Sequence, residues 1–423
     1  MRAVVVALGK IGLPLAAKIA MAGHEVIGCD VDPRVVELVN AGQEPFPGEA
    51  GLAAAVSELV ASGRLRATTE MTEAVSSGPD LVVAVPPLIV DADANPDFSI
   101  LDAVVADIGR GLQTGTVVSI ETTIPVGTTR SRISPALAEL SGLRAEEDFF
   151  CVHSPERVYS GRIFADLETY PKLIGGLSET GELRAAELYG AFLGAEVWRL
   201  GSAEAAELTK LAETTYRDVN IALVNEFARF ADRHGIDLGL VIKAANSQPF
   251  SHLHQPGVAV GGHCIPVYPR FYLSGDPSAR LPAAARAVNE AMPAYVVDVL
   301  AESLDEGLAG ARVLILGVSY RGGVKETAFS GAFPLAAELR ARGAIPVVTD
   351  PLYGAAELRA LGFTPWDGEP VSGAVLQADH EQFTELAPED LPGVTVLVDG
   401  RGTLDPEKWR AAGVVFRRIG RGW

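Results

Sequence analysis

Residues 2–12, Arg-Ala-Val-Val-Val-Ala-Leu-Gly-Lys-Ile-Gly, decide the fold. Residues 2 to 8 form a continuous, valine-rich apolar run, the pattern of a parallel strand covered on both faces. The run turns at Gly9-Lys10-Ile11-Gly12 into a helix extending to about Ala22, and a second strand, Glu25 to Cys29, ends at Asp30. This β-turn-α-β layout offers a helix N-terminus to a diphosphate and, about 20 residues on, an acid to ribose hydroxyls. Ala7 stands where the first glycine of the dinucleotide fingerprint is usual, so the pattern is A-x-G-x-x-G, and a βαβ unit with no ligand is the alternative reading. An acid where a 2'-phosphate would sit favours NAD over NADP.

Outward from this unit, the same sheet continues through Asp80 to Val85, Thr116 to Ile120 and Phe149 to Val152. Each strand feeds a loop rich in reactive or turn-forming residues: Pro86-Pro87, then Glu121-Thr-Thr-Ile-Pro-Val-Gly-Thr-Thr129, then His153-Ser-Pro-Glu156-Arg157. Ligands of open parallel sheets bind beyond the carboxyl ends of strands, so these loops are expected to border one crevice. Thr123 and Glu156 are candidates to hold water or a hydroxyl there; turn chemistry and a surface ion pair are the competing explanations.

After Gly201 the texture changes. Residues 203–234 keep helical periodicity without Pro or Gly, with Ser202 as N-cap and Gly235 just beyond the end. At 1.5 Å per residue this predicts a helix of about 48 Å. Lys210, Thr214 and Arg217 fall at i, i+4 and i+7, drawing a polar line along one face. Residues 281–308 read as further helix. A second β-turn-α-β unit then follows: strand Arg312 to Leu316, a glycine-rich turn 317–323, helix Ser330 to Arg342, and strand Ile345 to Thr349 ending at Asp350-Pro351. A later strand, Thr395 to Val398, ends at Asp399-Gly400-Arg401. Arg321 and Arg401 sit on strand-end loops, where their forks suit a phosphate-bearing ligand; exposed solubilising charge is the alternative. The expected organisation is α/β, with two Rossmann-like doubly wound domains, 1–200 and 309–423, joined by a long central helix and helical middle domain, 201–308.

Composition bounds the rest. A chain of 423 residues exceeds one ordinary core. A formal charge of −19, from 35 basic and 54 acidic residues, repels a phosphate backbone and argues against nucleic acid. The N-terminus enters a strand at once, and no stretch reaches the roughly 18 apolar residues of a membrane span, so a cytoplasmic protein is expected. Three widely spaced cysteines argue against a disulfide framework.

One cysteine stands apart. Gly261-Gly262-His263-Cys264-Ile265-Pro266 presents a thiol directly after two glycines, which allow close backbone approach to a ligand. A small buried hydrophobe is the alternative fate of such a residue. A zinc site from His252, His254, His263 and Cys264 matches no standard ligand spacing, and no metal is expected.

Taken together, the chain resembles the UDP-glucose/GDP-mannose dehydrogenase family, and within it the UDP-N-acetylhexosamine (UDP-N-acetylmannosamine-type) branch. The likeness spans nearly the whole chain: Gly9-x-x-Gly12-Leu-Pro, Val85-Pro86-Pro87, Glu121 to Thr129, Pro155-Glu156-Arg157-Val158, Glu207-Leu-Thr-Lys210-Leu, Tyr216-Arg-Asp-Val-Asn220, Gly261 to Pro266 and Asp350-Pro351. The resemblance implies an NAD-dependent oxidation of a nucleotide sugar at C6, through an aldehyde and a Cys264 thioester, to a carboxylate. It implies catalytic roles for Cys264, Lys210, Glu156 and Thr123, with Thr214 and Tyr268 at neighbouring positions. It further implies cofactor contacts from Gly9, Lys10, Ile11, Gly12, Asp30, Pro86 and Thr123, and substrate contacts from Arg157, Val158, Asn220, Gly261, Gly262, His263, Tyr320, Arg321 and Arg401. A homodimer through the long helix is the implied assembly.

Several family positions differ here. Tyr268 stands where the family carries an aspartate, Thr214 where it carries asparagine, and Phe250 where it carries an arginine donated to the neighbouring subunit's substrate. Lys325-Glu-Thr-Ala-Phe-Ser330 replaces an Asp-Asp-x-Arg-Glu-Ser turn. These changes leave open an atypical substrate, an oxidation that stops at the aldehyde, and a binding protein without turnover.

Overall fold

Val4, Val5 and Val6 are shielded from solvent on both faces of strand Arg2–Val6, as a run of β-branched residues in a central parallel strand requires. The computed structural model describes residues 1–91, 93–159 and 161–421. Two compact units result: Met1–Ala212 with Arg270–Gly275, and Glu213–Pro269 with the chain from Asp276 onward.

The first unit is built on an eight-stranded sheet. Across it run Val197–Arg199, Lys172–Gly176, Phe150–His153, Val117–Ile120, Leu81–Ala84, Arg2–Val6, Glu25–Cys29 and Leu65–Thr68. The last six are mutually parallel and follow the 3-2-1-4-5-6 order of doubly wound dinucleotide folds. Strand order reverses between Arg2–Val6 and Leu81–Ala84, so the loops after these two strands flank the switch point. Lys172–Gly176 adds to the sheet antiparallel to Phe150–His153, and Val197–Arg199 follows it in parallel. The expected first strand stops two residues early, at Val6, because Ala7 turns to φ 71° and leaves the extended region.

The second unit contains five parallel strands in the order Ile345–Thr349, Arg312–Leu316, Gly373–Leu376, Val396–Asp399 and Val415–Arg418. This is the 2-1-3-4-5 order, whose switch point lies between the first and third strands. One apolar core joins Val224 and Ala228 of the long helix and Leu300 to Ile315, Val348 and Val375 of the sheet. The stretch expected as helix, 281–308, comprises two helices, Arg280–Glu290 and Met292–Ser303, the second admitting Pro293 in its first turn, where no amide donor is needed.

Helix Ala203–His234 has the bounds its end signals imply. Ser202 Oγ accepts the Ala205 amide at 3.1 Å, and Gly235 takes φ 66°. The division between the units falls inside this helix, after Ala212. Among the described residues, no helix is long and apolar enough to cross a membrane.

Ala7 holds a left-handed conformation that glycine adopts without penalty, at a cost of about 1 kcal/mol for a Cβ-bearing residue. Ala7→Gly is therefore expected to raise unfolding free energy by up to about 1 kcal/mol in chemical denaturation. A net loss would mean that the methyl group packs more than it strains.

Candidate functional site

The turn after the first strand is shaped for close approach. A Cβ on Gly12 would lie 1.9 Å from the Ala7 carbonyl oxygen, so only glycine lets the helix start there. A Cβ on Gly9 would meet nothing within 4 Å, which leaves open space beside the turn. Helix Gly12–Met21 has no side-chain cap and no acid in its first turn, whereas Ser178, Asp32 and Asp237 each cap their own helices. An uncapped N-terminus behind a glycine turn fits a bound diphosphate. Asp30 is fixed at the second strand's end, where Oδ2 accepts the Leu8 amide at 2.8 Å and Oδ1 the Asp32 amide at 3.0 Å. Lys10 is exposed and Ile11 half-buried on this turn. Val31, beside Asp30, leaves its side chain 82% exposed.

On the other side of the switch point, Val85 donates its amide to the Val6 carbonyl at 3.0 Å, and the Pro86 carbonyl accepts the Thr122 hydroxyl at 2.5 Å. Thr123 is buried next to it. Glu156 is no surface ion pair. Its Oε1 accepts the Arg157 and Val158 amides at 2.7 and 3.2 Å, and its Oε2 lies 2.9 Å from Lys172 Nζ. Burial opposes ionisation of Glu156, yet Lys172 and these amides hold its carboxyl below the ordinary range. Lys210 Nζ donates to the Glu156 carbonyl at 2.6 Å, and Arg157 Nη2 to the Pro171 carbonyl at 2.6 Å. Lys210 is presented by a buried clamp one turn earlier: Glu207, fully shielded, accepts the Gly127 and Thr129 amides and the Thr129 hydroxyl. Val158 is half-buried on the same loop.

In the second unit, the Gly261-Gly262 pair lies against Tyr320. A Cβ on Gly261 would stand 2.6 Å from Tyr320 Cβ, and one on Gly262, at φ 91°, 3.2 Å from its ring. The Gly262 amide donates to the Ala328 carbonyl at 2.8 Å, and His263 Nε2 is 3.5 Å from Glu326 Oε2. Beyond them Cys264 is exposed, and its carbonyl accepts the Tyr268 amide at 2.9 Å as the chain enters helix Tyr268–Gly275. The other thiols differ: Cys29 and Cys151 are buried, and burial pushes Cys29 up to about 12 and Cys151 higher still.

A shielded polar chain brackets the cysteine segment. Arg286 forks onto Asp218, with Nε at 2.7 Å from Oδ2; Asn289 donates to the Asp218 carboxylate at 2.8 Å; Asn225 donates to Asn289 at 2.9 Å and accepts the Gly257 amide at 3.1 Å. Arg286 Nη1 also reaches the Pro266 carbonyl at 3.5 Å. Asn220 clamps the preceding loop, donating to the His252 carbonyl at 2.7 Å and accepting the His254 amide at 3.0 Å. Its amide is thus engaged by this chain's own backbone. Phe250, on that loop, is 92% exposed.

At the second switch point, Asp350 is buried under three amides and a ring, from Val318, Ser319, Leu352 and His380. Tyr320 and Arg321 extend from the same turn, with Arg321 Nε 3.2 Å from the Tyr320 hydroxyl, while Arg401 Nη2 pairs with Asp379 at 2.9 Å. Gly9, Lys10, Ile11, Gly12, Asp30, Pro86, Thr123, Glu156, Arg157, Val158 and Lys210 thus belong to the first unit. Thr214, Asn220, Gly261 to Cys264, Tyr268, Tyr320, Arg321 and Arg401 belong to the second. Sequence reasoning missed Lys172, Glu121 and Tyr189, whose only signal was the unusual acid heading Glu121-Thr-Thr.

Residues 1–193 match the NAD binding domain of the UDP-glucose/GDP-mannose dehydrogenase family, and residues 204–291 match its central domain. The chain is 34% identical to the UDP-N-acetyl-D-mannosamine dehydrogenase of Pyrococcus horikoshii, over 100% of both chains. It is 33% identical to the NDP-N-acetyl-D-galactosaminuronic acid dehydrogenase of Ralstonia nicotianae, over 94% of this chain and 95% of the relative. A solved structure of the P. horikoshii UDP-D-ManNAc dehydrogenase superposes with a TM-score of 0.90 at 32% identity, covering 100% of this chain and 99% of that one.

NAD is expected to raise the thermal unfolding midpoint, and NADP to raise it far less if the carboxylate of Asp30 faces the adenosine ribose, where it would repel a 2'-phosphate. Asp30→Asn should narrow that difference. Equal shifts with both dinucleotides on the parent chain would remove Asp30 from this role.

Proposed function

The chain belongs to the UDP-glucose/GDP-mannose dehydrogenase family, and on that premise we propose that it oxidises the C6 primary alcohol of a UDP-N-acetylhexosamine, UDP-N-acetylmannosamine foremost, to the carboxylate. The observation that carries this reading is the end-to-end identity of 34% to a UDP-N-acetyl-D-mannosamine dehydrogenase. NAD supplies the acceptor for a hydride in each of two oxidations. Per carboxylate formed, one water is consumed, two hydrides are transferred and three protons are released.

The roles of the chain's own residues follow from their chemistry. Lys210, a cation beside the Glu156 carbonyl, serves alkoxide and oxyanion character in both oxidations. The exposed Cys264 thiolate adds to the aldehyde, and the second oxidation leaves a thioester on its sulfur. Glu156 and Thr123 orient the water that cleaves the thioester. Thr214 and Tyr268 line the same chemistry. Gly261, Gly262 and His263 let the sugar approach, and Arg157, Val158, Asn220, Tyr320, Arg321 and Arg401 shape and hold the nucleotide sugar. Gly9 to Gly12, Asp30, Pro86 and Thr123 hold the dinucleotide, with Val31 as an apolar wall for adenine. A second reading, in which oxidation stops at the aldehyde, draws on Tyr268 standing where the family carries an aspartate.

With UDP-N-acetylmannosamine, two NADH per substrate are expected. Cys264→Ser should release at most one and accumulate aldehyde, since a serine hydroxyl is far less ionised than a thiol. Lys210→Ala should slow both oxidations. Carboxylate formed by Cys264→Ser at near the parent rate would exclude the thioester route.

Assembly as a homodimer in the cytoplasm completes the proposal. Tyr216, Leu223, Phe227 and Phe230 expose a line of large apolar side chains at helical spacing along Ala203–His234, and a second copy of the same helix is the self-complementary cover for it. Light scattering at micromolar concentration is expected to give twice the chain mass, and Phe227→Asp to halve it. A monomeric parent protein rules this assembly out.

A further inference from the structure

Lys172 sits where a lysine is least expected, with its side chain 4% exposed and its Nζ 2.9 Å from both Glu121 Oε2 and Glu156 Oε2. Glu121 is completely shielded, and the Tyr189 hydroxyl reaches its Oε1 while standing 2.8 Å from Ser119 Oγ. Other groups border the cluster. His153, on the adjacent strand, is fully buried and is pushed down to about 3 by burial and by Lys172, so it is neutral. Lys210 borders Glu156 through the backbone carbonyl, and the Arg157 guanidinium reaches the Pro171 carbonyl. A cleft lined by Glu156, Arg157, Val158, Tyr170 and Lys172 opens beside it.

Two carboxylates and one ammonium carry a net negative charge when all are ionised; Lys210 offsets it on the Glu156 side only, and a buried charge whose compensation is distant, as at Glu121, is costly. One added proton makes the cluster neutral. The two carboxylates are unequal hosts for it, because Glu156 is stabilised as an anion by two backbone amides, while Glu121 is deeper and, among the described residues, is met by the Tyr189 hydroxyl and Lys172. Burial accordingly pushes Glu121 up to about 7, against the pull of Lys172.

We propose that Glu121, Lys172 and Glu156 form a proton store behind the candidate site, which accepts a proton arriving at Glu156 and returns that residue to a carboxylate. Lys172 gives one ammonium proton to Glu121 as it takes one from Glu156. One O–H bond breaks, another forms, the ammonium is regenerated, and no electrons are transferred. Glu121 and Lys172 act through Glu156 and are positioning residues. The use of the store in turnover rests on the function proposed above, where thioester cleavage liberates a proton beside Glu156; the existence of the store does not.

Infrared titration of the substrate-free protein tests the store directly. A buried carboxylic acid band is expected to titrate near pH 7 in the parent and to be lost in Glu121→Gln. Tyr189→Phe removes a donor to the ionised form, so the midpoint should rise by about one pH unit; this arm stands alone if the first variant does not fold. In turnover of UDP-N-acetylmannosamine, the acidic limb of the kcat profile should disappear in Glu121→Gln with KM unchanged. A band that persists in Glu121→Gln, a midpoint unmoved by Tyr189→Phe, or superimposable kcat profiles would overturn the proposal. Absence of turnover on every nucleotide sugar would instead remove the functional reading, with the infrared result still deciding the store.

Discussion

The carboxylate of Asp218 and the guanidinium of Arg286 are both withdrawn from water, and the unit that carries Cys264 is arranged around that pair. Neither charge is tolerable alone: breaking a buried pair by removing one partner typically costs about 3–5 kcal/mol. Asn289 and Asn225 extend the pair into a chain of satisfied polar groups, and that chain meets the backbone at Gly257 and Pro266, on either side of the thiol. Desolvation thereby turns into geometry. An exposed cysteine needs little packing of its own when the flanks of its segment are tied to two helices, Ala203–His234 through Asn225 and Arg280–Glu290 through Arg286, that cannot release them cheaply.

Much of this architecture is legible in the sequence, and the reasons for the exceptions are physical. Strands Glu25–Cys29, Arg312–Leu316 and Ile345–Thr349 and helix Ala203–His234 announce themselves by period and by end signals within a few residues. Lys172–Gly176 and Val197–Arg199 do not, since one begins with a charged residue and contains two glycines, and the other has three residues, two of them exposed. Position on a strand-end loop is readable for Glu156; the ammonium that meets it comes from 16 residues away and from a residue type that normally seeks solvent. The resemblance implies a substrate contact for Asn220, yet its amide is held by backbone groups of a loop some thirty residues on and by the Tyr216 hydroxyl, partners that no local pattern foretells. Local patterns foretell elements, and burial of polar groups depends on partners brought from elsewhere.

The two Rossmann-like turns make the same point. In each, an acid ends the second strand and accepts an amide from the turn after the first: Asp30 from Leu8, Asp350 from Val318 and Ser319. Asp30 is half-buried and keeps acceptor capacity for ribose hydroxyls. Asp350 adds the Leu352 amide and the His380 ring and is shut in, and its carboxyl lies below the ordinary range because those donors outweigh burial. One structural device is therefore left partly open in the first sheet and closed into internal bracing in the second.

The contrast among the three thiols has a practical side. Cys29 and Cys151 are sealed inside the first sheet, in the form least able to react, while Cys264 faces solvent. To a water-borne electrophile, the unaltered chain already behaves as a single-cysteine protein. A maleimide dye, a spin label or a library of cysteine-directed fragments would report from one place without a cysteine-depleted background. Shielding of that label by a nucleotide sugar would be a direct sign that the thiol borders the proposed substrate site.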